Sequence, residues 1–243
     1  MQNKIILVTG ATSGIGNSIV RLFHERGAVL VAVGRSQEKL QALASDLGER
    51  TWTYAADLVE LENIRKLFDF CRENSLKLDG IVHCAGVTLN CPLRANDITE
   101  TEQLMRINVE ALMELCHFAS SRRYVNKGAS IVALSSTASL CGVRGLAAYS
   151  ASKAAVNSLV KSAALELSPW QIRVNAIAPA MVRTQMYYDT IAQIPDMEAS
   201  VQANQPFGLI EPESIAEIAD FLMSDKAKYI TGSILVVSAG NVI

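Results

Sequence analysis

Short apolar runs alternate with helical stretches along almost the whole 243-residue chain, and this alternation limits the fold more than any other feature of the sequence. An uninterrupted apolar run is typical of a strand buried on both faces, as in a parallel sheet covered by helices. The predicted strands are Lys4–Thr9, Ala28–Val33, Thr51–Ala55, Gly80–Cys84, Ser130–Leu134, Arg173–Ala178 and Ile234–Val237. The predicted helices are Gly14–Arg26, Gln37–Leu47, Leu61–Glu73, a long region that breaks near Asn108, and Ala148–Leu167, which Ser168-Pro169 ends.

This order of elements predicts an α/β fold: a doubly wound, Rossmann-like parallel sheet of about seven strands with helices on both faces. We expect one domain over residues 1–243. The least regular region is Pro179–Glu211, which carries two tyrosines, Tyr187 and Tyr188, that we expect to be exposed. It follows strand six, at the sheet edge where ligands bind in such folds. We therefore predict a structureless substrate loop around residues 183–210.

Composition and charge exclude several classes of protein. The chain has 22 basic and 24 acidic residues, a net charge of −2, which gives no electrostatic basis for binding nucleic acid or an anionic membrane. Its 5 cysteines form no C-x-x-C pair and its 3 histidines lack the spacing of metal ligands, so we predict neither a disulfide framework nor a metal site. The first strand begins close to Met1 and no apolar run is long enough to span a bilayer, so we expect a soluble, cytoplasmic protein.

A glycine-rich turn joins the first strand to the first helix. Gly10, Gly14 and Gly16, in the run TGATSGIG, let the turn tighten and let the backbone approach a bound group closely. The N-terminus of the following helix favours an anion, and a pyrophosphate is the group that this arrangement typically holds. The spacing is G-x-x-x-G-x-G rather than the commoner G-x-G-x-x-G, so the position after strand one carries the prediction of a dinucleotide site.

The end of the second strand predicts which dinucleotide is bound. An NAD site usually has an Asp or Glu there to hold the ribose 2′-hydroxyl, but this strand ends Val33-Gly34-Arg35-Ser36, with no acidic residue. Arg35 can pair with a 2′-phosphate through two hydrogen bonds, and Ser13 in the turn can add another. The alternative is that Arg35 is a solvated loop cation. We predict NADP(H) as the cofactor.

Tyr149 and Lys153, in the run YSASK, lie four residues apart and project from the same face of a helix. A lysine cation stabilises a phenolate, so we expect the pKa of Tyr149 to be lowered towards neutrality. Ser136, thirteen residues before the tyrosine, ends an apolar strand. An exposed pair on an amphipathic helix is the alternative for the two residues alone. Together with the glycine turn, they indicate a nucleotide-dependent oxidoreductase of carbonyls and alcohols.

With TGATSGIG, Ser136 and YSASK in register, the chain resembles the short-chain dehydrogenase/reductase family over essentially its whole length, and most of all the bacterial 3-oxoacyl-acyl-carrier-protein reductase branch. The resemblance implies a seven-stranded Rossmann-like sheet, a nicotinamide cofactor and a homotetramer. It also implies that Tyr149 is the general acid/base, that Ser136 orients the substrate oxygen, and that Lys153 holds the nicotinamide ribose. Asn108 resembles the family residue that anchors a proton-relay water.

The resemblance marks further residues expected to contact the cofactor. Asp57-Leu58 matches the pair beside the adenine ring, although Asp57 is also suited to cap the next helix. Pro179–Thr184 matches the segment that packs on the nicotinamide carboxamide. The complete predicted cofactor site comprises Gly10, Thr12, Ser13, Gly14, Ile15, Gly16, Arg35, Asp57, Leu58, Cys84, Ala85, Gly86, Tyr149, Lys153, Pro179, Val182 and Thr184.

Two departures from the family pattern affect the interpretation. His83-Cys84-Ala85-Gly86 stands where the family usually has Asn-Asn-Ala-Gly, so that strand end must be held by other contacts. The two basic residues that dock a carrier protein correspond to Lys127 and Trp170, so half of the pair is missing. This puts an acyl-carrier substrate in doubt and leaves the chemistry unchanged.

The leading hypothesis is an NADP(H)-dependent oxidoreductase that interconverts a small-molecule ketone or a 3-oxoacyl group and the secondary alcohol. A dehydrogenase of sugars, polyols or secondary metabolites is one alternative, and a catalytically idle NADP-binding regulator is another. The helix Ala148–Leu167 has apolar residues on more than one side and many small residues, so we expect it to pack against its own copy. We therefore predict a homo-oligomer, in line with a homotetramer.

Overall fold

A parallel sheet forms the centre of the structure, a computed structural model that describes residues 1–193 and 197–241. Within these residues, seven strands lie in the order β3-β2-β1-β4-β5-β6-β7, all parallel. The strands are β1 (Ile5–Thr9), β2 (Val29–Gly34), β3 (Thr51–Ala55), β4 (Leu78–His83), β5 (Val125–Leu134), β6 (Arg173–Pro179) and β7 (Ile234–Val237). The predicted doubly wound fold is confirmed.

Helices cover both faces of the sheet. They are α1 (Gly14–Glu25), α2 (Gln37–Leu47), α3 (Glu62–Glu73), α4 (Ile98–Met105), α5 (Ala111–Ala119), α6 (Ala147–Leu167), α7 (Gln185–Gln193), α8 (Met197–Asn204) and α9 (Pro212–Met223). No helix in the described part of the chain has both the length and the apolar character needed to cross a membrane.

The core forms two layers because successive side chains of a strand point to opposite faces. In β1, Ile6 and Val8 pack with Phe23 of α1 and Leu222 of α9 on one face. Leu7 points to the other face, where α3, α5 and α6 contribute Phe68, Leu112 and Val160. All of these side chains are fully buried. Helices on both faces explain why the strands are apolar without alternation.

The winding of the sheet reverses between β1 and β4. The chain moves outwards from β1 to β2 and β3, and then returns to the other side of β1 to form β4 and the later strands. The two connections diverge at this point and leave a crevice beyond the carboxyl ends of β1 and β4. The glycine turn after β1 and the run Cys84-Ala85-Gly86 after β4 both lie there.

The predicted break in the helical region near Asn108 is confirmed. Arg106–Glu110 forms a π-helix between α4 and α5, with Asn108 at its centre and buried. Such single turns often occur at functional sites. Strand β5 is longer than predicted, because its first residues pair with Leu78 before a register shift that the apolar pattern did not show.

The prediction of a structureless substrate loop around residues 183–210 was wrong. Helices α7 and α8 lie in this region, and residues 194–196 of the predicted loop lie outside the described part. A parallel bridge between Val182 and Ile210 closes its base. Tyr187 is also not exposed as expected: its side chain is buried and lines a cavity, whereas Tyr188 is exposed.

Candidate active site

One cavity of about 1040 Å³ opens beyond the carboxyl edge of the sheet. It extends from the turn after β1 to helices α7 and α8, and the first turns of α6 border it. Every predicted site residue lines this cavity except Asn108 and Asp57. The fold therefore brings together residues from Gly10 to Thr184 that are far apart in the sequence.

The glycine turn is shaped so that only glycine fits at its critical positions. Gly10 and Gly14 have φ values of +66° and +47°, which L side chains rarely adopt. A Cβ on Gly16 would lie 2.2 Å from the carbonyl oxygen of Gly10, and a Cβ on Gly10 would lie 2.9 Å from the amide nitrogen of Ala85. The turn thus holds the backbone close to β4 and leaves room for a bound group above it.

The N-terminus of α1 points its first amide groups at the cavity. Ser13 occupies the N-cap position with an extended backbone, but its side chain makes no capping hydrogen bond within the described chain. The hydroxyl of Ser13 is exposed and lines the cavity. An uncapped helix start with a glycine approach is a site that favours a phosphate group.

Two cations line the cavity at the end of β2. Arg35 is exposed and forms no hydrogen bond or ion pair within the described residues. Lys39, in the first turn of α2, lies four residues further on and lines the same wall. The sequence analysis missed Lys39, because Arg35 precedes the N-cap Ser36 and the spacing of the two residues therefore indicates no shared helix face. No acidic side chain lines the described part of the cavity.

Asp57 does not have the role in helix capping that its position suggested. Its carboxylate accepts a hydrogen bond from the amide of Val59 at 3.0 Å, and α3 begins only after Leu61. Asp57 is exposed and lies outside the cavity wall, whereas Leu58 is buried and lines it. The predicted contact with the adenine ring therefore has structural support at Leu58 alone.

Tyr149 lies in the first turn of α6, beside Ser136. Burial raises the pKa of the Tyr149 hydroxyl above its ordinary value, and the hydrogen bond with Ser136 acts in the opposite direction. The expectation of a pKa lowered by Lys153 is not met in this structure. The lysine Nζ lies 5.8 Å from the centroid of the tyrosine ring, and the removal of water from the phenolate is the larger effect.

Lys153 is buried one turn after Tyr149. Its Nζ donates a hydrogen bond to the carbonyl oxygen of Leu134 at 2.8 Å, at the end of β5. Burial lowers the pKa of Lys153 to about 8, and the nearby Cys84 raises it slightly. A lysine ammonium has three donors, so two remain to bind a ligand in the cavity.

Asn108 supports the cavity from behind rather than lining it. Its Oδ1 accepts a hydrogen bond from the amide of Val87 at 2.9 Å, and its Nδ2 donates to the carbonyl of Val87 and to Ser152, both at 3.0 Å. Oδ1 lies so close to Gly86 that a Cβ there would be only 2.9 Å away. The side chain thus connects β4 to α6, and the predicted water-anchoring role stays a prediction.

A buried polar network holds the loop of Ser136 against α6. The hydroxyl of Ser135 donates to Oδ1 of Asn157 at 2.6 Å, and Nδ2 of Asn157 donates to Ser139 at 2.7 Å. The Ser139 hydroxyl in turn donates to the carbonyl oxygen of Ser136. Asn157, which sequence reasoning missed, lies one helical turn after Lys153 on the same face, and that spacing was the available signal.

A family model of short-chain dehydrogenases, described as enoyl-(acyl carrier protein) reductase, matches residues 10–241. The chain belongs to the short-chain dehydrogenase/reductase family. This confirms the resemblance on which the site residues were predicted.

Named relatives and a solved structure agree with this assignment. The A-factor type gamma-butyrolactone 1′-reductase (1S-forming) of Streptomyces virginiae is 36% identical over 99% of this chain and 96% of that protein. The 3-oxoacyl-[acyl-carrier-protein] reductase FabG of Rickettsia conorii is 33% identical over 99% and 97%. The structure of 4-hydroxyisoleucine dehydrogenase complexed with NADH has a TM-score of 0.90 at 27% identity, covering 98% of each chain.

Membership of the short-chain dehydrogenase/reductase family establishes the general chemistry. The protein is an oxidoreductase of secondary alcohols and ketones, in a family that binds a nicotinamide cofactor. The cavity fits such a group, because Cβ atoms added to its glycines would fill the cradle and its wall carries Arg35, which has no partner among the residues that the structure describes.

His83 holds the end of β4, where this short-chain dehydrogenase/reductase lacks both asparagines of the family pattern. Nδ1 of His83 lies 2.9 Å from the Thr9 hydroxyl, which also accepts a hydrogen bond from the amide of Ala85 at 3.1 Å. Burial, with a smaller contribution from the nearby Lys153, lowers the pKa of His83 to about 3, so the imidazole is neutral at physiological pH. Burial also raises the pKa of the Cys84 thiol to about 12. Neither side chain adds a charge to the cavity.

Opposite the glycine turn, the segment after β6 is held by one buried glutamine. Oε1 of Gln205 accepts a hydrogen bond from the amide of Met181 at 2.8 Å, and Nε2 donates to the carbonyls of Met181 and Gly208, both at 3.2 Å. An exposed ion pair between Arg183 and Glu211 lies beside it. Gln205 is a further site residue that the sequence analysis missed, because its partners are fixed only by the tertiary structure.

Proposed function

We propose that this protein is an NADP(H)-dependent reductase of ketones, reversible as an alcohol dehydrogenase, with Tyr149 as the general acid/base. The observation that carries the proposal is the composition of the 1040 Å³ cavity. Its wall joins Ser136, Tyr149 and Lys153 to a glycine cradle and to the cations at the end of β2.

The proposed mechanism assigns a separate task to each of the three polar side chains. Ser136 and Tyr149, which lie close enough for the serine to affect the pKa of the phenol, both bind the substrate oxygen and stabilise the charge that develops on it. The bound nicotinamide supplies or accepts the hydride. Tyr149 donates its proton to that oxygen in reduction, and the raised pKa keeps the hydroxyl protonated for this step. Lys153 holds the ribose with its remaining donors.

Arg35 and Lys39 support NADP(H) over NAD(H). Both are cations. The described cavity wall contains no acidic side chain that would repel a 2′-phosphate or hydrogen-bond to the ribose 2′-hydroxyl of NAD(H). The related 4-hydroxyisoleucine dehydrogenase is described with NADH, so membership of the family does not by itself select NADP(H). The charge at the end of β2 is what favours the phosphate here.

The cofactor proposal is tested by binding and turnover with both dinucleotides. We expect wild-type protein to bind NADPH more tightly than NADH, and Arg35→Ala to weaken NADPH binding far more than NADH binding. Gly34→Asp is the converse variant: the φ of Gly34 is not in the left-handed region, and the nearest atoms to the new Cβ would belong to the side chains of Thr12, at 3.2 Å, and Leu40, at 3.7 Å. It should shift preference towards NAD(H). Tighter binding of NADH by the wild type would contradict the assignment.

The structure favours a free small molecule over a carrier-bound substrate. Lys127 is exposed, but Trp170 packs against the core where the carrier reductases have a second basic residue. The gamma-butyrolactone reductase relative is named for a small-molecule substrate. Turnover of NADPH with simple ketones, keto-sugars and 3-oxoacyl thioesters separates these possibilities, and exclusive use of a carrier-bound thioester would contradict our preference.

We further propose that the protein is a homo-oligomer, in line with a tetramer, assembled through α6. Leu165 of this helix is 77% exposed, and exposed small residues such as Ser158 and Ser162 lie on the preceding turns. A two-fold axis would cover this face with a second copy. Sedimentation at micromolar concentration checks this, and a stable monomer would refute it.

A further inference from the structure

The charges that line the cavity are all of one sign. In the described part of its wall, Arg35, Lys39, Arg144 and Lys153 are cationic, and there is no aspartate or glutamate. The chain as a whole has a net charge of −2, so this is a local enrichment rather than a consequence of composition. A concave site lined by one sign of charge concentrates molecules of the opposite sign.

Three of these four cations have a task under the proposed function, on which this inference rests. Arg35, after β2, and Lys39, in the first turn of α2, are proposed to bind the 2′-phosphate, and Lys153 donates a hydrogen bond to the carbonyl of Leu134. Arg144 is the one of the four cations to which the proposed function assigns no role. It lies on the loop between Ser136 and Tyr149 and makes no hydrogen bond or ion pair with any described residue.

The backbone that carries Arg144 is fixed to the catalytic helix. The amide of Leu146 donates to the carbonyl of Val143 at 3.2 Å, and Gly145 has a φ of +81°. This is the pattern of a type II turn, with Arg144 at its second position and glycine where the positive φ is required. The carbonyl of Gly145 also accepts a hydrogen bond from the amide of Cys91 at 2.7 Å, and α6 begins directly after the turn, at Ala147.

The surface of the cavity as a whole is mainly apolar. Val143 and Leu146 lie on the same turn as Arg144, and α7 and α8 line the cavity with Met186, Tyr187 and Val201 as well as with the polar residues Gln185, Thr190 and Asn204. A guanidinium stays protonated in proteins and pairs with planar oxyanions through two hydrogen bonds. We propose that the substrate is a ketone or secondary alcohol with an apolar body and an anionic oxygen group, a carboxylate or a phosphate, which Arg144 binds. The opposing view is that Arg144 is a solvated cation at the cavity rim.

The test compares matched pairs of substrates that differ only in charge. Ketones of several sizes, such as 4-oxocyclohexanecarboxylate, are assayed with NADPH as the carboxylate and as its primary amide, and hydroxyketones are assayed with and without a phosphate ester. For wild-type protein we expect the anion to have the higher kcat/KM by at least about 10-fold in one or more pairs, the scale of a charge-assisted hydrogen bond. A preference in the carboxylate series would identify a carboxylate as the bound group, and a preference in the phosphate ester series would identify a phosphate.

Variants of the cation then assign the preference to one residue. Arg144→Gln should bring the ratio of kcat/KM for anion and neutral partner to about 1, and Arg144→Lys should keep part of it, since the charge remains and the planar fork is lost. Arg122→Gln is the matched control: Arg122 is exposed, lies outside the cavity wall and makes no contact with it. Its ratio should equal that of the wild type.

The outcomes separate this inference from the proposed function. Turnover of anionic and neutral partners at equal kcat/KM in every pair would overturn the role of Arg144 and leave the ketone reductase intact. If Arg144→Gln keeps the preference for the anionic partner, the proposed role of Arg144 is overturned and the ketone reductase is again left intact. No NADPH-dependent turnover of any pair would contradict the proposed function, and this inference would fall with it.

Discussion

The two walls of the cavity are built in different ways. On one side, the glycine turn after β1 is held by backbone against backbone: Gly16 against the carbonyl of Gly10, and Gly10 against the amide of Ala85. On the other side, the segment Pro179–Glu211 is held at its base by side chains, above all by Gln205. The two meet where a Cβ on Gly14 would lie 3.0 Å from the methyl carbon of Thr184.

The difference indicates how each wall serves function. A turn held by close backbone contacts has little room to move, so it is suited to bind the cofactor, the part of the ligand that we expect relatives to share. A segment held by a few side chains can change its helices without disturbing the sheet, so it is suited to decide which substrate enters. We therefore expect variants of the first wall to affect cofactor binding and variants of the second to affect substrate binding.

Gly16→Ala is the variant expected to have the largest effect on the turn. Its Cβ would lie 2.2 Å from the Gly10 carbonyl oxygen, and that contact is with backbone, which cannot rotate away. We expect cofactor Kd to rise at least about 100-fold, close to 3 kcal/mol. Isothermal titration with NADPH measures this.

Gly142→Ala is the control for that variant. Gly142 lies between Cys141 and Val143, which line the cavity, but no atom lies within 4 Å of its added Cβ and its φ is not in the left-handed region. Cofactor Kd should stay within about 2-fold of the wild-type value, because surface substitutions of this kind change free energies by only ~0.5 kcal/mol. An equal loss in both variants would mean that the turn has no special rigidity.

The fold and the turn could be predicted from the sequence because their causes are local. Apolar runs of strand length, helix-like stretches between them and glycines after Thr9 each act within a few residues. The same holds for Tyr149 and Lys153, which one helical turn brings together. The hydrogen-bond partners of Gln205 and Asn157 could not be predicted, although the spacing of Asn157 from Lys153 indicated its helix face. Met181 and Ser135 lie more than 20 residues away from them in sequence, and only the complete fold brings them together.

Two failures show the limits of reasoning from pattern alone. Tyr187 was expected to be exposed in a structureless loop, but α7 places its ring in the cavity wall. The pKa of Tyr149 was expected to be lowered by Lys153, since spacing shows which residues are neighbours. Spacing does not show how much water is removed, and burial has the larger effect on this phenol.

Lys153 lies in the cavity between the two walls, and we expect its titration to make the free energy of unfolding depend on pH. Its folded pKa of about 8 lies below the ordinary lysine value of 10.5, so between these pH values Lys153 binds fewer protons in the folded state than in the unfolded state. The contribution of Lys153 to the stability of the cofactor-free protein should therefore rise with pH, by about 2 kcal/mol between pH ~7.5 and ~9.5. The buried thiols of Cys71, Cys84 and Cys116 have raised pKa values and act in the opposite direction, but they are present in both proteins compared, so the lysine term is the difference between the two. Urea unfolding of wild type and Lys153→Met at both pH values checks this, and equal pH dependence in the two proteins would contradict it.

Gln205→Leu tests the second wall and has the smallest expected effect. It leaves the amide of Met181 and the carbonyls of Met181 and Gly208 without their partner, which lowers the free energy of unfolding by about 1–3 kcal/mol. We expect KM for the ketone to rise more than cofactor Kd does. Gln103→Leu, at an exposed position on α4, is the control. A larger change in cofactor Kd than in KM would contradict the division of tasks between the walls.

The proton of Tyr149 is the centre of the account, and Tyr149→Phe tests it most directly. The substitution keeps the buried ring and removes only the hydroxyl that Ser136 contacts. The measurement is kcat for NADPH-dependent ketone reduction, with NADPH Kd determined on the same protein. We predict a loss of at least about 100-fold in kcat, the usual scale for removing a general acid, with Kd near the wild-type value. A Phe variant that keeps most of its kcat would contradict the proposed mechanism.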